Sequence, residues 1–258
     1  MGTGPGNLEH MSQHAQEIIK SVDCIIGYKT YVDLVKPLIS VQKIISSSMK
    51  KEVERVKLAI ETALSNKSTA LISSGDAGVY AMAGLTFEIC KEMNITLVSG
   101  NNNVQTKKDL ALKIEVIPGI PALCSGASLL GAPLTHDFAV ISLSDLLTDW
   151  KLIEKRVEAA AKADFVIVFY NPKSKKRDWQ LAKALEIISN YRDKKTPVGI
   201  VINAMRHDQK IQITDIKNLD LNIVNMTTTI FVGNSNTFSF DNFMVTPRGY
   251  SNKYNLKH

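Results

Sequence analysis

The sequence feature that most constrains the fold is a glycine-containing turn between a strand and a helix. The apolar run Thr69–Ile72 predicts a buried strand, and the turn SSGDAGVY follows it at residues 73–80, which we call the corner. Apolar residues then recur at helical spacing: Val79, Ala83, Phe87, Cys90 and Met93. This order favours a ligand site, because glycine lets backbone approach a ligand and a helix start has unpaired N–H groups.

Asp76 lies at the centre of the corner and has two interpretations. It stands where a helix N-cap would stand, and a carboxylate there accepts hydrogen bonds from the first N–H groups of the helix. It can equally accept hydrogen bonds from a ribose or an ammonium group of a ligand. The corner alone does not decide between these interpretations.

The composition predicts a globular protein with an ample core. The 258 residues are 45% hydrophobic and 22% charged, which allows one large domain or two small ones. No apolar run approaches the roughly 20 residues that cross a bilayer, and the first residues lack the pattern of a signal peptide. Cys24, Cys90 and Cys124 form no CxxC pair and lie in apolar segments. We therefore expect buried thiols in a cytoplasmic protein without a membrane partner.

The formal net charge of +6 is compatible with a nucleic-acid partner, but the pattern of the charges is not. The chain has no long basic block with interleaved aromatic residues, so we expect no nucleic-acid partner. A lysine-rich surface accounts for most of the excess charge. A small polyanionic substrate would account for the rest.

A second glycine-rich turn, MGTGPGN, opens the chain at residues 1–7. Such a turn normally follows a strand, so we expect a strand upstream of the first residue given. The turn matches the dinucleotide-binding pattern GxGxxG weakly, because Pro5 interrupts it and Asp23 precedes the predicted strand Cys24–Tyr28 instead of ending it. A nicotinamide oxidoreductase is therefore a distant alternative. No GxxxxGKS/T segment occurs, which excludes a P-loop.

Alternating strand and helix patterns predict an α/β fold with mixed sheets. In the first half, a helix over 49–64 and a strand over 114–117 flank the corner, and the polar stretch 99–110 indicates a surface insertion. In the second half the patterns predict helices over 122–130, 150–163 and 178–191 and strands over 138–142, 165–170, 198–202, 211–214 and 229–232.

The segment Pro118-Gly119-Ile120-Pro121 is the best candidate for a domain junction, because proline fixes the local backbone. We predict two α/β domains with a cleft between them. Their limits are 1–117 and 121–245, with the junction at 118–120 and a tail at 246–258.

Four segments, taken in order, resemble one family, the tetrapyrrole methylases, which transfer methyl groups from S-adenosylmethionine. They are GTGPG at 2–6, SGDAGVY at 74–80, PGIPA at 118–122 and FYNP at 169–172. The resemblance spans nearly the whole chain and implies two α/β domains with the cofactor in the cleft between them, and usually a homodimer. The family's usual GDP is Gly75-Asp76-Ala77 here. We expect little effect, because a proline there mainly stiffens the turn.

Two further segments, ISLSDLL at 141–147 and NPKSKKRDWQL at 171–181, resemble one branch of this family. That branch methylates C17 of precorrin-3B or cobalt-factor III in cobalamin biosynthesis, and contraction of the macrocycle accompanies the methylation. The alternatives are another methylase of the family, such as a C11 or C20 corrinoid methyltransferase or a diphthine synthase, and a noncatalytic tetrapyrrole-binding protein.

The resemblance implies ten cofactor contacts, most of them through backbone groups. They are Pro5, Ser74, Gly75, Asp76, Val79, Pro121, Ala122, Asn171, Ala204 and Thr228. A turn or a cap is the alternative role of each. Methyl transfer from a sulfonium is an in-line displacement that depends on orientation, so we expect no metal and no covalent nucleophile.

The implied substrate is a corrinoid macrocycle with many carboxylates. Cations precede the helix predicted at 178–191: Lys173, Lys175, Lys176 and Arg177. Each opposes the helix dipole by about 0.3–1 kcal/mol, which an anionic ligand would offset. Arg177 is the main candidate, because a guanidinium can hold a carboxylate with two hydrogen bonds, and Lys173 is the second. A solvated lysine-rich turn is the alternative.

Three further residues are candidates for the chemistry. His136 is a candidate for proton transfer because histidine exchanges protons near neutral pH, although an exposed loop histidine is the alternative. Tyr28 ends the strand Cys24–Tyr28, near the position where related enzymes have an acidic catalytic residue, and is the other proton-transfer candidate. Ser144 either lines the macrocycle pocket or caps a helix.

Overall fold

The computed structural model describes residues 1–99 and 111–255. The chain divides into two compact units, Met1–Pro121 and Ala122–His258, and each has its own sheets and hydrophobic core. The predicted α/β class with two domains is confirmed. The predicted domain limits and the predicted cleft stay predictions. Within the described ranges, no helix combines the length and the apolar character needed to cross a bilayer.

The first unit alternates helices with parallel strands. Its helices are α1 (Gln13–Ser21), α2 (Lys29–Val35), α3 (Glu52–Leu64) and α4 (Met82–Glu92). Its strands are β1 (Cys24–Tyr28), β2 (Lys43–Ser47), β3 (Thr69–Ile72), β4 (Thr96–Ser99) and β5 (Ala111–Ile114).

The main sheet of the first unit is parallel, with the strand order β2-β1-β3, and β4 and β5 form a separate parallel pair. Residues 1–3 extend the main sheet beside β3. The backbone N–H of Thr3 donates to the carbonyl of Ser73 at 2.9 Å, and that of Ser73 donates to the carbonyl of Met1 at 2.9 Å. Residues 1–3 therefore lie beside the end of β3.

Helices cover both faces of this sheet. Ile25 of β1 and Ile72 of β3 pack with α1 and α2, whereas Ile26 of β1 packs with α3 through Ala59. This alternation follows from the strand geometry, in which successive side chains point to opposite faces. The carboxyl ends of β1, β2 and β3 share one edge, which we call the carboxyl edge of the first unit.

The second unit contains a larger, mixed sheet. Its helices are α5 (Ala122–Leu130), α6 (Trp150–Lys162) and α7 (Gln180–Ile188). Its strands are β6 (Gly131–Ala132), β7 (Phe138–Ser142), β8 (Val166–Tyr170), β9 (Pro197–Ile202), β10 (Lys210–Asp215), β11 (Thr228–Val232), β12 (Phe238–Phe240) and β13 (Phe243–Val245).

The strand order of the mixed sheet is β10-β9-β11-β8-β7. β7 and β8 are parallel, and β11 is antiparallel to both β8 and β9, so β7, β8 and β9 all run in one direction. Their carboxyl ends and the amino end of β11 therefore share one edge, the carboxyl edge of the second unit. β12, β13 and β6 form a small second sheet.

Each face of the mixed sheet is covered by helices. Ile167 and Phe169 of β8 face α6 and α7, whereas Val168 faces α5. α5 approaches the sheet closely because it has a glycine at the contact: a Cβ added at Gly126 would lie 2.7 Å from the ring of Phe231. The absence of a side chain at Gly126 thus allows close packing.

Two expectations from the sequence were wrong, and one sheet was missed. The strand predicted at 114–117 is β5 at Ala111–Ile114, because Ile117 instead runs beside Gly2 and accepts a hydrogen bond from its N–H at 2.9 Å. The small sheet of β6, β12 and β13 was not predicted. Cys24 and Cys90 are buried as expected, but Cys124 on α5 is exposed. Apart from Ser99, the predicted insertion at 99–110 lies outside the described residues.

Candidate functional site

In the first unit, the corner and the first glycine turn are joined through their backbones. The N–H of Gly4 donates to the carbonyl of Gly75 at 3.1 Å, and the N–H of Gly75 donates to the carbonyl of Gly4 at 2.7 Å. Both glycines have positive φ angles, +73° and +67°, which residues with a side chain rarely adopt. The residue types of the two turns therefore follow from this paired backbone conformation.

Asp76 connects the corner to a third turn. One carboxylate oxygen accepts a hydrogen bond from the N–H of Gly78 at 2.7 Å, and the other accepts one from the N–H of Gly119 at 3.0 Å. Helix α4 begins later, at Met82, and its N-cap residue is Ala81. The interpretation of Asp76 as a helix cap is therefore wrong: the carboxylate fastens two backbone turns and stays half-buried.

The other predicted cofactor residues of the first unit differ in accessibility. Ser74, Gly75, Val79 and Pro121 are half-buried, so ligand atoms can reach them, whereas Pro5 is buried. Tyr80, at the end of the corner, has a positive φ of 52° and leaves 54% of its surface exposed. The sequence pattern identified the corner but did not identify this exposed aromatic ring.

Tyr28 lies at the carboxyl edge of the first unit, as expected. It is the last residue of β1, which neighbours β3, and β3 leads directly into the corner. Its ring is half-buried and contacts the ring of Tyr31 edge-on, with centroids 5.2 Å apart. Tyr28 and the corner are therefore at the same edge of one sheet.

In the second unit, Asn171 and Ala204 occupy turns at the carboxyl edge. Asn171 follows β8 with φ of +50°, and its amide nitrogen donates to the hydroxyl of Ser142, the last residue of β7, at 3.0 Å. Ala204 lies between Asn203 and Met205, whose φ angles are +51° and +58°. These turns in the left-handed region follow directly after strands, where α/β sheets bind ligands.

The start of α5 is tied to the same edge. The hydroxyl of Tyr170, which ends β8, accepts a hydrogen bond from the N–H of Leu123 at 2.8 Å. This bond satisfies one of the N–H groups that the first turn of a helix leaves without a helical partner. Ala122, the first residue of α5 and a predicted cofactor contact, is thereby held at the edge and is partly accessible.

Thr228 also lies at this edge, as the first residue of β11, but its side chain is buried. Its hydroxyl accepts a hydrogen bond from the N–H of Asn225 at 3.0 Å and is engaged within its own turn. A ligand at this position would meet backbone atoms. The predicted contact by Thr228 is consequently restricted to its main chain.

We expected Arg177 to present its guanidinium to a ligand, but the side chain is turned inward. Only 9% of the residue is exposed, and Nη1 donates to the carbonyl of Leu143 at 3.0 Å and to the carbonyl of Asn171. Asp145 lies 3.9 Å from Nε. Burial lowers the pKa of the guanidinium, and the Asp145 carboxylate partly opposes this shift. The guanidinium of Arg177 is therefore engaged within the protein and does not offer two free N–H groups to a substrate carboxylate.

A turn that the sequence pattern does not predict explains this difference. Ser174 and Arg177 exchange backbone hydrogen bonds of 2.7 and 3.2 Å, so the segment folds back before α7 begins at Gln180. Arg177 thereby points inward, while Lys175 and Lys176 form the exposed tip. Lys173 is half-buried, and its ammonium donates to the carbonyl of Leu221 at 3.0 Å.

His136 is separated from the other candidates of its unit. It precedes β7, so it lies at the amino end of a five-residue strand whose carboxyl end carries Ser142. At about 3.3 Å per residue, the strand places the two ends more than 13 Å apart. Nδ1 of His136 accepts a hydrogen bond from the N–H of Asp137 at 2.8 Å, and 44% of the side chain is exposed.

Ser144 is at the carboxyl edge, half-buried, and donates its N–H to the hydroxyl of Ser142 at 3.2 Å. It does not cap a helix, because Asp149 caps α6 by accepting a hydrogen bond from the N–H of Lys151 at 2.9 Å. Its position suits the other interpretation, that of a pocket-lining residue. Among the described residues, no group of three or more His, Cys, Asp or Glu side chains is arranged to hold a metal ion.

Comparison with known proteins identifies the protein family to which this chain belongs. Residues 1–220 match the family model of the Tetrapyrrole (Corrin/Porphyrin) Methylases. The match covers most of the chain, so the chain belongs to that family. The resemblance found in the four sequence segments is thereby confirmed.

Two individual relatives are similar to this chain over nearly all of its length. A protein of Priestia megaterium named cobalt-factor III methyltransferase is 50% identical over 256 residues, which are 99% of this chain and 45% of that protein. A probable cobalt-factor III C(17)-methyltransferase of Salmonella typhimurium is 43% identical, over 97% of this chain and 98% of that protein. This chain thus spans less than half of the first relative and nearly all of the second.

A solved structure agrees with the fold. The crystal structure of the methyltransferase CobJ superposes with a TM-score of 0.83 and 29% sequence identity, and the match covers 95% of this chain and 97% of that one. The agreement extends over both units.

Proposed function

We propose that this protein is an S-adenosylmethionine-dependent methyltransferase that methylates C17 of cobalt-factor III, with contraction of the macrocycle, in cobalamin biosynthesis. The observation that carries the proposal is the 50% identity, over 99% of this chain, to a relative named cobalt-factor III methyltransferase. The two segments that resemble the C17 branch, 141–147 and 171–181, lie at the carboxyl edge of the second unit, which supports the same assignment.

The residues present fit the methyl donor. Ala204 is small and packs in an apolar cluster with Leu123 and Tyr170, a surface that suits a flat adenine ring. The turns at Asn171 and Ala204 and the corner bring backbone groups to the two carboxyl edges, and such groups can bind the amino and carboxylate ends of the donor. We propose as donor contacts the residues that the resemblance implied in each unit, with Thr228 contributing only backbone.

S-adenosylmethionine, when bound, supplies a methyl group on a sulfonium sulfur, and the protein's task is to orient the acceptor carbon. Orientation of two reactants accounts for about 7–11 kcal/mol of barrier lowering in favourable cases. The Gly4–Gly75 pairing and the Asp76 carboxylate join the backbone turns of the first unit to one another, which suits that task.

Proton transfer at the substrate is assigned to Tyr28 and not to His136. Tyr28 shares the carboxyl edge of the first unit with the corner, and a phenol both donates and accepts hydrogen bonds. His136 lies at the amino end of its strand, away from the candidates of its own unit. The assignment gives Tyr28 the role that the family resemblance suggested for an acidic residue at the same strand end.

Incubation of the purified protein with S-adenosylmethionine and cobalt-factor III tests the proposal. Mass spectrometry is expected to find a product with one additional methyl group, and NMR is expected to locate that group at C17. Parallel incubation with metal-free precorrin-3B determines whether cobalt must already be present. Methylation at C11 or C20 would contradict the proposal, and so would macrocycle binding without any affinity for S-adenosylhomocysteine, which indicates a noncatalytic carrier.

Two further expectations accompany the proposal. We expect the protein to act in the cytoplasm and to form a homodimer, as the family resemblance implies. Analytical ultracentrifugation over a range of protein concentrations tests the oligomeric state.

A further inference from the structure

The loop between β7 and α6 carries two adjacent leucines that the protein does not bury. Leu146 is 77% exposed and Leu147 is fully exposed. Single exposed apolar residues are common on protein surfaces and need no explanation. Two neighbouring leucines at the carboxyl edge, three and four residues after the buried Leu143, are less ordinary, because this edge is the candidate functional site.

The loop is anchored on both sides of the leucines. Asp145 accepts a hydrogen bond from the amide nitrogen of Gln180 at 2.9 Å and lies 3.9 Å from Nε of Arg177. Arg177 also holds the carbonyl of Leu143 at 3.0 Å. On the other side, Asp149 caps α6. The two leucines are therefore exposed between two anchored ends of one short segment.

A cationic tip is connected to the same anchor. The turn closed by Ser174 and Arg177 exposes Lys175 and Lys176, and the Arg177 side chain of this turn binds the leucine loop. Arg177 also binds the carbonyl of Asn171, a proposed donor contact. One buried guanidinium thus links an apolar tip, a cationic tip and the turn after β8.

We infer that the Leu146–Leu147 tip and the Lys175–Lys176 tip together form a contact surface for the rim of the tetrapyrrole substrate. The leucines pack on the apolar ring, and the lysines pair with its peripheral carboxylates. Arg177 is a positioning residue that sets the two tips relative to Asn171. This inference rests on the proposed function and adds the residues that recognise the macrocycle.

The combination of chemistries favours this occupant. A tetrapyrrole with acetate and propionate groups has a flat apolar centre and an anionic fringe, which matches one apolar and one cationic tip. A second copy of the chain in an isologous contact would place this patch against itself and bring the lysines of both copies together. We therefore treat a self-contact as an outcome to be tested and not as the proposal.

The decisive variant is the double substitution Leu146→Ser and Leu147→Ser, with Val41→Ser as the matched control. Val41 is 91% exposed and belongs to the first unit, whereas both tips belong to the second. Affinity for cobalt-factor III is measured by quenching of Trp150 and Trp179, the only tryptophans of the chain. Affinity for S-adenosylhomocysteine is measured by calorimetry, and oligomeric state by sedimentation.

We expect the double leucine variant to bind cobalt-factor III about tenfold or more weakly, as lost apolar contact of this size predicts, with unchanged S-adenosylhomocysteine affinity and oligomeric state. Val41→Ser is expected to change none of these. Unchanged corrinoid affinity would overturn the inference, and so would a change confined to the oligomeric state, which would identify a self-contact.

Two further variants test the cationic tip and the anchor. Lys175→Gln with Lys176→Gln is expected to raise KM for the corrinoid and to weaken its dependence on salt, because paired charges are screened by ions. Arg177→Lys is expected to raise the corrinoid KM by a larger factor than it weakens the binding of S-adenosylhomocysteine. If Arg177→Lys lowers stability and both affinities in parallel, its role is structural and the positioning role is wrong.

Failure of the inference is distinguishable from failure of the proposed function. The wild-type protein tests the function through product formation. The variants test the contact surface through binding, which needs no turnover.

Discussion

Asp76 and Gly119 are 43 residues apart in sequence, yet the N–H of Gly119 donates a hydrogen bond of 3.0 Å to the Asp76 carboxylate. The same carboxylate accepts the N–H of Gly78. Hydrogen bonds to a charged acceptor are stronger than neutral ones, so Asp76 holds the corner to the last turn of the first unit. A residue predicted from sequence as a ligand contact therefore also has a measurable role in stability.

Replacing Asp76 by alanine is expected to lower the free energy of unfolding of the protein by about 1.5–3 kcal/mol, since both N–H donors lose a charged acceptor. Urea denaturation followed by circular dichroism measures the change. The control is Glu61→Ala, which removes an exposed carboxylate on α3 and should leave stability nearly unchanged. If Asp76→Ala weakens S-adenosylhomocysteine binding without any loss of stability, the structural role is wrong.

Two glycines should respond to alanine in opposite directions. A Cβ at Gly119 would overlap the carbonyl oxygen of Gly75, a backbone atom that cannot move aside easily, so Gly119→Ala is expected to lower the melting temperature strongly. Gly84 lies in α4 and a Cβ there would meet nothing within 4 Å, so Gly84→Ala is expected to stabilise by about 0.5–1 kcal/mol. Differential scanning calorimetry measures both. Equal shifts would contradict the packing described for the three turns.

The three cysteines are expected to differ in reactivity. Burial raises the pKa of the Cys24 and Cys90 thiols, which lowers the fraction of reactive thiolate at pH 8, and both side chains are inaccessible. Cys124 is exposed. Iodoacetamide should therefore label one cysteine in the native protein and three in urea, and Cys124→Ser should abolish native labelling. Native labelling of Cys24 or Cys90 would contradict their burial.

The exposed carboxylate of Asp23 should contribute a pH-dependent part of the stability. Its oxygen Oδ2 accepts hydrogen bonds from the hydroxyl and the N–H of Ser68, and these bonds lower the pKa of Asp23. Because the pKa is lower in the folded state, the carboxylate stabilises the folded protein at pH values above its unfolded pKa of about 3.9. This stabilisation is lost as the pH falls through the lowered pKa of the folded state. Asp23→Ala should therefore melt below the wild type at pH 7, and the difference should shrink toward pH 3. A constant difference would contradict the linkage.

Substitutions at Tyr28 and at His136 should differ in how much they lower kcat. Loss of an acid–base group typically costs about 100-fold or more in rate, so Tyr28→Phe is expected to lower kcat by that factor. His136→Ala is expected to cost far less, because His136 lies at the amino end of its strand. Turnover of cobalt-factor III in single-turnover experiments, with S-adenosylhomocysteine affinity as the control, provides the comparison. The reverse order of effects would assign proton transfer to His136.

The predictions from sequence succeeded where the local pattern determines the result. The buried strand β8 is an unbroken apolar run, and the glycine that marks the corner is needed there because residue 75 has a positive φ. They failed where long-range contacts decide. Arg177 points inward because the carbonyls of Asn171 and of Leu143, 34 residues away, accept its hydrogen bonds. Asp76 accepts a hydrogen bond from the N–H of Gly119, 43 residues away, instead of capping a helix. Periodicity contains no information about such partners.

The turn closed by Ser174 and Arg177 has a consequence for proteolysis. It holds three consecutive basic residues, Lys175, Lys176 and Arg177, after each of which trypsin can cut. Cleavage of a closed turn requires it to open first, and at limiting protease the rate follows the population of the open form. The rate of tryptic cleavage at residues 175–177 therefore reports how often the Arg177 side chain breaks its hydrogen bonds to the carbonyls of Leu143 and Asn171. A bound macrocycle that contacts both tips should slow this cleavage.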